Sequence, residues 1–330
     1  MAVSPLTCQL LAIALLVPVA SVSFFRAVLT QWPTPVVQLL SFTPWMVVPA
    51  VFALGLALAG RRAWIMIVAA VLLAAQLLWL FPLDAGRPSA APSRSSTSLS
   101  VMNINSQFGE ADAAEIVRLV REERVGLLAV QEHTPALEKR LAAEGLGSVL
   151  PNRVSNFARG AGGSALYSLH PMQFVGMVPD TPFEMPRVRL ALGDTHPTVT
   201  LEVTNIHALP PVEGRIHQWR SDLAALRHLV AEGGQGNRLL IGDFNATYDH
   251  SEFRAVLDGG EGGTKLVDVG TAAGLRLLPT WPMEGVPLPG ITIDHVVTTQ
   301  GIAGSRYAVH RIPGSDHAAV LATLSIPSSD

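Results

Sequence analysis

Between Leu6 and Leu83 only Arg26, Arg61 and Arg62 carry charge, and all the acidic residues of the 330-residue chain come afterwards. No other feature restricts the fold as much. A backbone facing hydrocarbon must satisfy every N–H and C=O within a helix or a closed barrel, and a bilayer core of about 30 Å takes roughly 20 apolar residues as helix. Three segments meet that length, at about 6–26, 36–59 and 63–83, so residues 1–83 are expected to form a membrane domain with three transmembrane helices. Pro18, Pro44 and Pro49 are tolerated in such helices where neighbours satisfy the freed backbone groups. Trp32, Trp45, Trp64 and Trp79 fall near the expected ends, as an interfacial aromatic belt requires.

A cleaved signal peptide is the competing reading of the first segment, but it lacks a basic leading region and two further spans follow at once. Gly60, Arg61 and Arg62 form a basic turn between the second and third spans, and basic turns stay cytoplasmic. The expected protein is therefore a multi-pass plasma-membrane protein with a cytoplasmic amino terminus and an extracytoplasmic remainder. Arg26, near an outer loop, runs against this with one charge to two. Cys8, the only cysteine, rules out an intrachain disulfide and reads as an apolar residue of the first span.

Residues 84–98, "DAGRPSAAPSRSSTS", have the composition of a flexible linker. Beyond it, 99–330 reads as a soluble domain. From Ser89 onward there are 19 basic and 25 acidic residues, a formal charge of −6, which gives no basic footprint for nucleic acid. Short aliphatic runs such as "LSVMNIN" and "VGLLAVQE" have the pattern of strands covered on both faces. Helical spacing recurs at about 135–144 and 213–232, and "GGSALYSLHP", "PRVRLAL", "TVTLEVTNIHAL", "RLLIGDFNA" and "ITIDHVVTT" supply further strands. Alternating helices and strands in both halves predict two packed sheets with helices on the outer faces.

Several of these apolar strands end on polar side chains: Asn103 and Asn105, Gln131 and Glu132, Asn205 and His207, Asp243 and Asn245, Asp294 and His295. Asp316 and His317 precede the last strand. Charges that leave water must be paired, hydrogen-bonded or metal-bound. Oxygen ligands for a hard dication, with acid and base groups beside it, account for such a set, because Mg²⁺ takes one or two carboxylates and fills its other positions with water and phosphate.

In order, "MNIN", "LAVQE", "NIHALPP", "LIGDFNA", "TWP...ITIDHV" and "GSDHAAV" resemble the endonuclease/exonuclease/phosphatase superfamily over about residues 99–326. The resemblance implies an α+β, DNase I-like four-layer α/β/β/α sandwich and divalent-metal hydrolysis of phosphate esters or anhydrides, with Mg²⁺ as cofactor and Mn²⁺ as the alternative. It assigns Glu132 as the metal-binding Glu, with Asn103, Asn105 and Asp316 near the metal or its water. Asp243 corresponds to the residue that orients or deprotonates the attacking water, and Asn245 to a donor to a phosphate oxygen. His317 corresponds to the histidine beside the scissile phosphate, with Asp294 holding its ring. Asn105 stands where many members carry Asp. His207 lacks its usual acidic partner between Glu144 and Asp180, so it is assigned a phosphate or leaving-group contact.

Three spans ahead of such a domain also resemble the membrane-bound J-type glycopeptide-resistance members of actinobacteria, which implies a lipid-borne substrate of the undecaprenyl diphosphate type. The competing expectations are an extracytoplasmic nuclease and a non-catalytic membrane scaffold with the same fold. The expected partners are a phosphorylated, lipid-borne substrate and membrane lipids, with no specific nucleic acid.

Overall fold

The computed structural model describes residues 4–83, 85, 96–193, 199–234, 236–260, 263–285 and 289–328. The chain divides into two compact units, Met1–Asp84 with Tyr248–Ser251, and Ala85–Thr247 with Glu252–Asp330. Most of the expected linker, 84 and 86–95, lies outside the described residues, and the first strand already begins at Ser96, inside the stretch assigned to it.

Among the described residues, four α-helices build the first unit: α1 Pro5–Ala27, α2 Thr34–Leu40, α3 Val47–Gly60 and α4 Ala63–Leu80. Pro5–Ala27, Thr43–Gly60 and Ala63–Leu80 are long and apolar enough to cross a membrane. The continuous helix expected over 36–59 is broken after Leu40, where a 3₁₀ turn, Thr43–Met46, intervenes. The cause is chemical. Pro44 has no N–H to give the carbonyl of Leu40, and the buried Thr43 hydroxyl donates to that carbonyl at 2.7 Å. Thr43→Val is isosteric and leaves the carbonyl without this donor, so it should cost about 1–3 kcal/mol, read as a lower melting temperature of the detergent-purified protein.

Small buried residues, Ala53, Ala57 and Gly60, let α3 lie close to α1. At Gly60 a Cβ would come within 2.8 Å of Gln9 Cγ, and the Gln9 amide donates to the Gly60 carbonyl at 2.7 Å. The opposite end of α1 carries Arg26, whose guanidinium donates to the buried Asp249 carboxylate at 2.6 Å and lies over the Trp79 ring. In the same unit the His250 ring is 2.9 Å from the Val37 carbonyl.

The second unit is a helix–sheet–sheet–helix sandwich. One six-stranded sheet has the order β11-β12-β1-β2-β4-β3 and the other β5-β6-β7-β8-β10-β9. In chain order the strands are β1 Ser96–Asn105, β2 Leu127–Gln131, β3 Asn152–Asn156, β4 Ser164–Ser168, β5 Met172–Met177 and β6 Pro186–Leu192. They continue as β7 Val199–His207, β8 Arg238–Asp243, β9 Leu266–Asp268, β10 Asp294–Thr299, β11 Ala303–Arg311 and β12 Ala318–Pro327. Each sheet holds one parallel pair, β1 with β2 and β7 with β8. A helix bridges each pair, as parallel strands require: α5 Ala113–Glu122 and α7 Ile216–Glu232.

Side-chain alternation explains the unbroken aliphatic runs. In β1 and β2, Val101, Leu127 and Ala129 enter the core between the sheets. Met102, Leu128 and Val130 face the other way, onto α5 and α6 Pro135–Ala143. β3, β5 and β9 have no counterpart among the expected strands, and β5, "MQFVGM", is exposed or half-buried along its length. β3, "NRVSN", is only half-buried, and β9 has three residues, so neither carries an aliphatic run.

Candidate active site

The same alternation aims the polar strand ends. Leu99 and Val101 face the inter-sheet core, and a period of two carries Asn103 and Asn105 onto that face. By the same count Gln131 follows Ala129, Asn205 and His207 follow Val203, Asp243 follows Ile241, and Asp294 precedes Val296. All seven are buried. Because β10 runs antiparallel to β8 with Asp294 opposite Asp243, and β7 runs parallel with His207 opposite Asp243, these ends meet at one rim. Gly242 permits the approach: a Cβ there would lie 2.0 Å from the Ile206 carbonyl oxygen.

Asp243 Oδ1 accepts from the Asn245 backbone N–H at 2.8 Å, and its Oδ2 accepts from the amides of Asn105 and Asn245 at 3.1 and 3.2 Å. The Asn245 amide also donates to the Ala208 carbonyl at 2.9 Å, so both its hydrogens are engaged. The strand expected to run through residue 246 ends at Asp243, and Asn245 turns the chain at φ 47°.

His317 Nδ1 lies 2.9 Å from Asp294 Oδ2, and Nε2 lies 3.8 Å from Asp243 Oδ2. Ser315 seats it, accepting the His317 backbone N–H at 3.0 Å and donating to the Asn105 carbonyl at 2.7 Å. Glu132 follows β2 at φ 54°. Its Oε2 accepts the Phe108 N–H at 2.7 Å, its Oε1 faces the Asn105 amide at 3.4 Å, and His207 Nε2 is 3.9 Å away. The helix after His133 is capped by Thr134, leaving Glu132 to the rim.

Of the remaining expected residues, Asn105 bonds Asp243 directly, whereas Asn103 and Asp316 have other partners. Asn103 donates to Asp294 Oδ1 at 3.3 Å and accepts from Gln131 at 2.7 Å. The Asn105 oxygen accepts the Gln107 N–H at 3.1 Å, which turns its NH₂ towards Glu132 and Asp243. Asp316 accepts from the Trp281 indole at 2.9 Å, and its N–H donates to Gln107 Oε1 at 2.7 Å.

Sequence reasoning counted Gln131 and Asn205 among the polar strand ends without giving them a role, and named neither Ser315 nor Phe108. Gln131 donates to both Asn103 and Asn205, and Asn205 donates to the carbonyls of Val130 and Ala165, tying the two sheets beneath the rim. Ser315 lies within "GSDHAAV" and could have been found from that word. Phe108 contributes through its backbone N–H, which its side-chain type does not signal.

Electrostatics follow from crowding. Burial, then the Asp294 charge, push Asp243 up to about 7. Burial opposes the charged form of His317, but Asp294 and Asp243 outweigh it and hold the ring at about 9. Burial raises Glu132 as well. Burial, reinforced by the His317 charge, lowers His207 to about 3, so that ring is neutral at physiological pH. Three carboxylates thus converge on a single cationic ring, a donor set suited to a divalent cation. Ligand atoms of Asp243, Asp294 and His317 lie within 4.8 Å of one another and could hold one.

The Endonuclease/Exonuclease/phosphatase family model matches residues 102–317, spanning every strand end described above. The chain belongs to this family. Its members are metal-dependent phosphoester hydrolases, and the rim has the carboxylates and histidine for that chemistry. Solved structures share the fold. D. rerio TDP2 complexed with a single-stranded DNA product has a TM-score of 0.53 at 14% identity, covering 69% of this chain and 99% of that one. An AP endonuclease from Archaeoglobus fulgidus has a TM-score of 0.53 at 15% identity, covering 68% and 98%. A functionally unknown conserved protein from Enterococcus faecalis V583 has a TM-score of 0.52 at 16% identity, covering 69% and 100%. No curated protein matches the chain.

Proposed function

We propose that the protein is a membrane-anchored, Mg²⁺-dependent phosphohydrolase acting at the outer face of the plasma membrane on a lipid-borne diphosphate of the polyprenyl type. The observation that carries the chemistry is the meeting of Asp294, His317, Asp243, Asn105 and Glu132 through successive contacts at one rim.

In this reading Asp243 orients the attacking water and takes its proton as the P–O bond to the leaving group breaks. Asn245 releases its longer bond, the one to Asp243, to donate to a phosphoryl oxygen. His317, kept cationic by Asp294, faces the charge that grows on phosphorus. With His317 assigned to the phosphate as a cation, the metal in this reading is assigned to Glu132, backed by the Asn105 amide, instead of to the Asp243, Asp294 and His317 group, with Asn103 and Asp316 shaping the surroundings. A divalent ion there supplies Lewis-acid polarisation of a phosphoryl oxygen. His207 is neutral and ill-suited to protonate an alkoxide. This favours an anhydride, whose phosphate leaving group needs no acid.

An apolar substrate is supported by the aromatic neighbours of the rim. Phe108 is 58% exposed beside Glu132, and Phe183 stacks on His207 with centroids 4.4 Å apart. The orientation is supported by Arg61 and Arg62, which follow the end of α3 that meets Gln9, whereas Arg26 at the other end of α1 is neutralised by Asp249. Three spans before such a domain also support kinship with the J-type glycopeptide-resistance members.

Full-length protein in nanodiscs should release phosphate from a polyprenyl diphosphate with Mg²⁺, and EDTA should abolish release. No release above an Asp243→Ala control would remove this substrate. Nicking of plasmid DNA in the same panel would move the assignment to a nuclease, the reading favoured by the DNA-bound D. rerio relative. Absence of turnover on every arm would leave the scaffold reading.

A further inference from the structure

Strand alternation gives β10 a second task. Asp294 points into the rim and grips His317, so His295, one residue on, points to the other face of its sheet. There it is 2% exposed. Its Nε2 is 2.8 Å from the Ala246 carbonyl and its Nδ1 3.3 Å from Asp268 Oδ1. Phe253 and Phe244 flank the ring, with centroids 4.4 and 5.6 Å away.

Nε2 donates to the Ala246 carbonyl and so carries a proton, while Nδ1 stands at ion-pair distance from Asp268 Oδ1 without hydrogen-bond geometry, a neighbouring carboxylate that favours a second proton and a cationic ring. Asp268 balances that charge while its other oxygen caps the short helix Val269–Ala272, accepting the Thr271 N–H at 3.2 Å. Neither residue touches the rim. What the pair holds is the carbonyl of the residue after Asn245. Asn245 itself is at φ 47°, a left-handed conformation that asparagine tolerates better than most residues but that still depends on the bonds around the turn to hold it. The Trp219 indole holds the preceding carbonyl, that of Asn245, at 3.1 Å.

We propose that Asp268 and His295 are positioning residues that clamp the turn Asp243–Ala246 from behind, fixing Asn245 and through it the Asp243 carboxylate. The Asp294–His317 pair in front and the Asp268–His295 pair behind thus brace one turn from opposite faces of β10. The catalytic consequence rests on the hydrolase reading; the clamp itself does not.

The decisive variant is Asp268→Asn/His295→Phe in the full-length chain. It removes both charges together, so no lone buried charge remains, and it keeps an aromatic ring against Phe253. We expect kcat to fall about 10–100-fold, as for loss of partners that orient reacting groups, with KM within about two-fold. Amide exchange in a peptide spanning Asp243–Ala246 should quicken at least about ten-fold, in keeping with lost local protection. Asp268→Asn alone keeps the donor to Ala246 as a neutral ring but removes the carboxylate beside it, and should show part of both losses, about 3–10-fold in kcat. It also serves as the test if the double variant does not fold. Unchanged exchange in the turn overturns the clamp, whatever happens to turnover. Quickened exchange with wild-type kcat overturns the positioning role. If no substrate turns over even with the wild type, the exchange measurement still decides the clamp and the failure belongs to the hydrolase assignment.

Discussion

Asp243→Asn is expected to lower kcat/KM by about two to four orders of magnitude, the usual worth of a positioned general base. The substitution preserves size, and one amide oxygen can still accept the Asn245 N–H that Asp243 Oδ1 now accepts. It removes the capacity to take a proton, and it turns an NH₂ towards the NH₂ of Asn105, which now donates to Asp243 Oδ2 at 3.1 Å. Two donors then face each other, so stability should also drop. Asn105→Asp/Asp243→Asn separates the two effects, because the exchange restores a donor opposite an acceptor while leaving the carboxylate on β1 instead of β8. The melting temperature should recover and activity should not. Recovery of activity in the double variant would mean that only the charge of the pair matters, and would end the assignment of the base to Asp243.

The rim was legible in the sequence because alternation is a local property. Once Leu239 and Ile241 are read as core, Asp243 must share their face, and the same count places Asn105, Gln131, His207 and Asp294. What a single strand cannot state is its partner. That Asn105 spends its amide on Glu132 and Asp243, with its oxygen on Gln107, depends on two turns at positive φ, at Gln107 and Glu132, formed by residues with no marked preference for that conformation. The break in the second apolar segment had a visible cause in Pro44. Its exact place depended on Thr43 reaching back to Leu40, a side-chain choice that hydropathy does not record. His295 is the clearest misplacement, having been counted with Asp294 among the polar strand ends of the rim. Its neighbour Asp294 was assigned from its word, yet the same alternation that turns Asp294 inward sends His295 to a partner, Asp268, on a three-residue strand with no pattern of its own.

The second large effect concerns pH. His317 is held at about 9 against an ordinary 6.5, by Asp294 and Asp243 working against burial. A base whose folded value is raised stabilises the fold fully below about 6.5, and this contribution is lost as pH rises through about 9. Asp243, raised from 3.8 to about 7, works in the same sense: the folded state holds the extra proton, so stability falls as pH climbs between those values. Without a divalent ion, then, the melting temperature should decline from about pH 4 upwards and again towards about pH 9. Added Mg²⁺ favours ionised Asp243 and should flatten the lower decline. For turnover, His317 must be charged, so the alkaline limb should lie near pH 9. Asp294→Asn removes the carboxylate bonded to the ring at 2.9 Å and should move that limb towards acid by at least about one unit, the direction expected when an opposite charge is withdrawn. His317→Gln should cost about two to three orders of magnitude in kcat and abolish the limb altogether. A limb that stays in place in Asp294→Asn would show that some other group is titrating, and the cationic role would pass from His317.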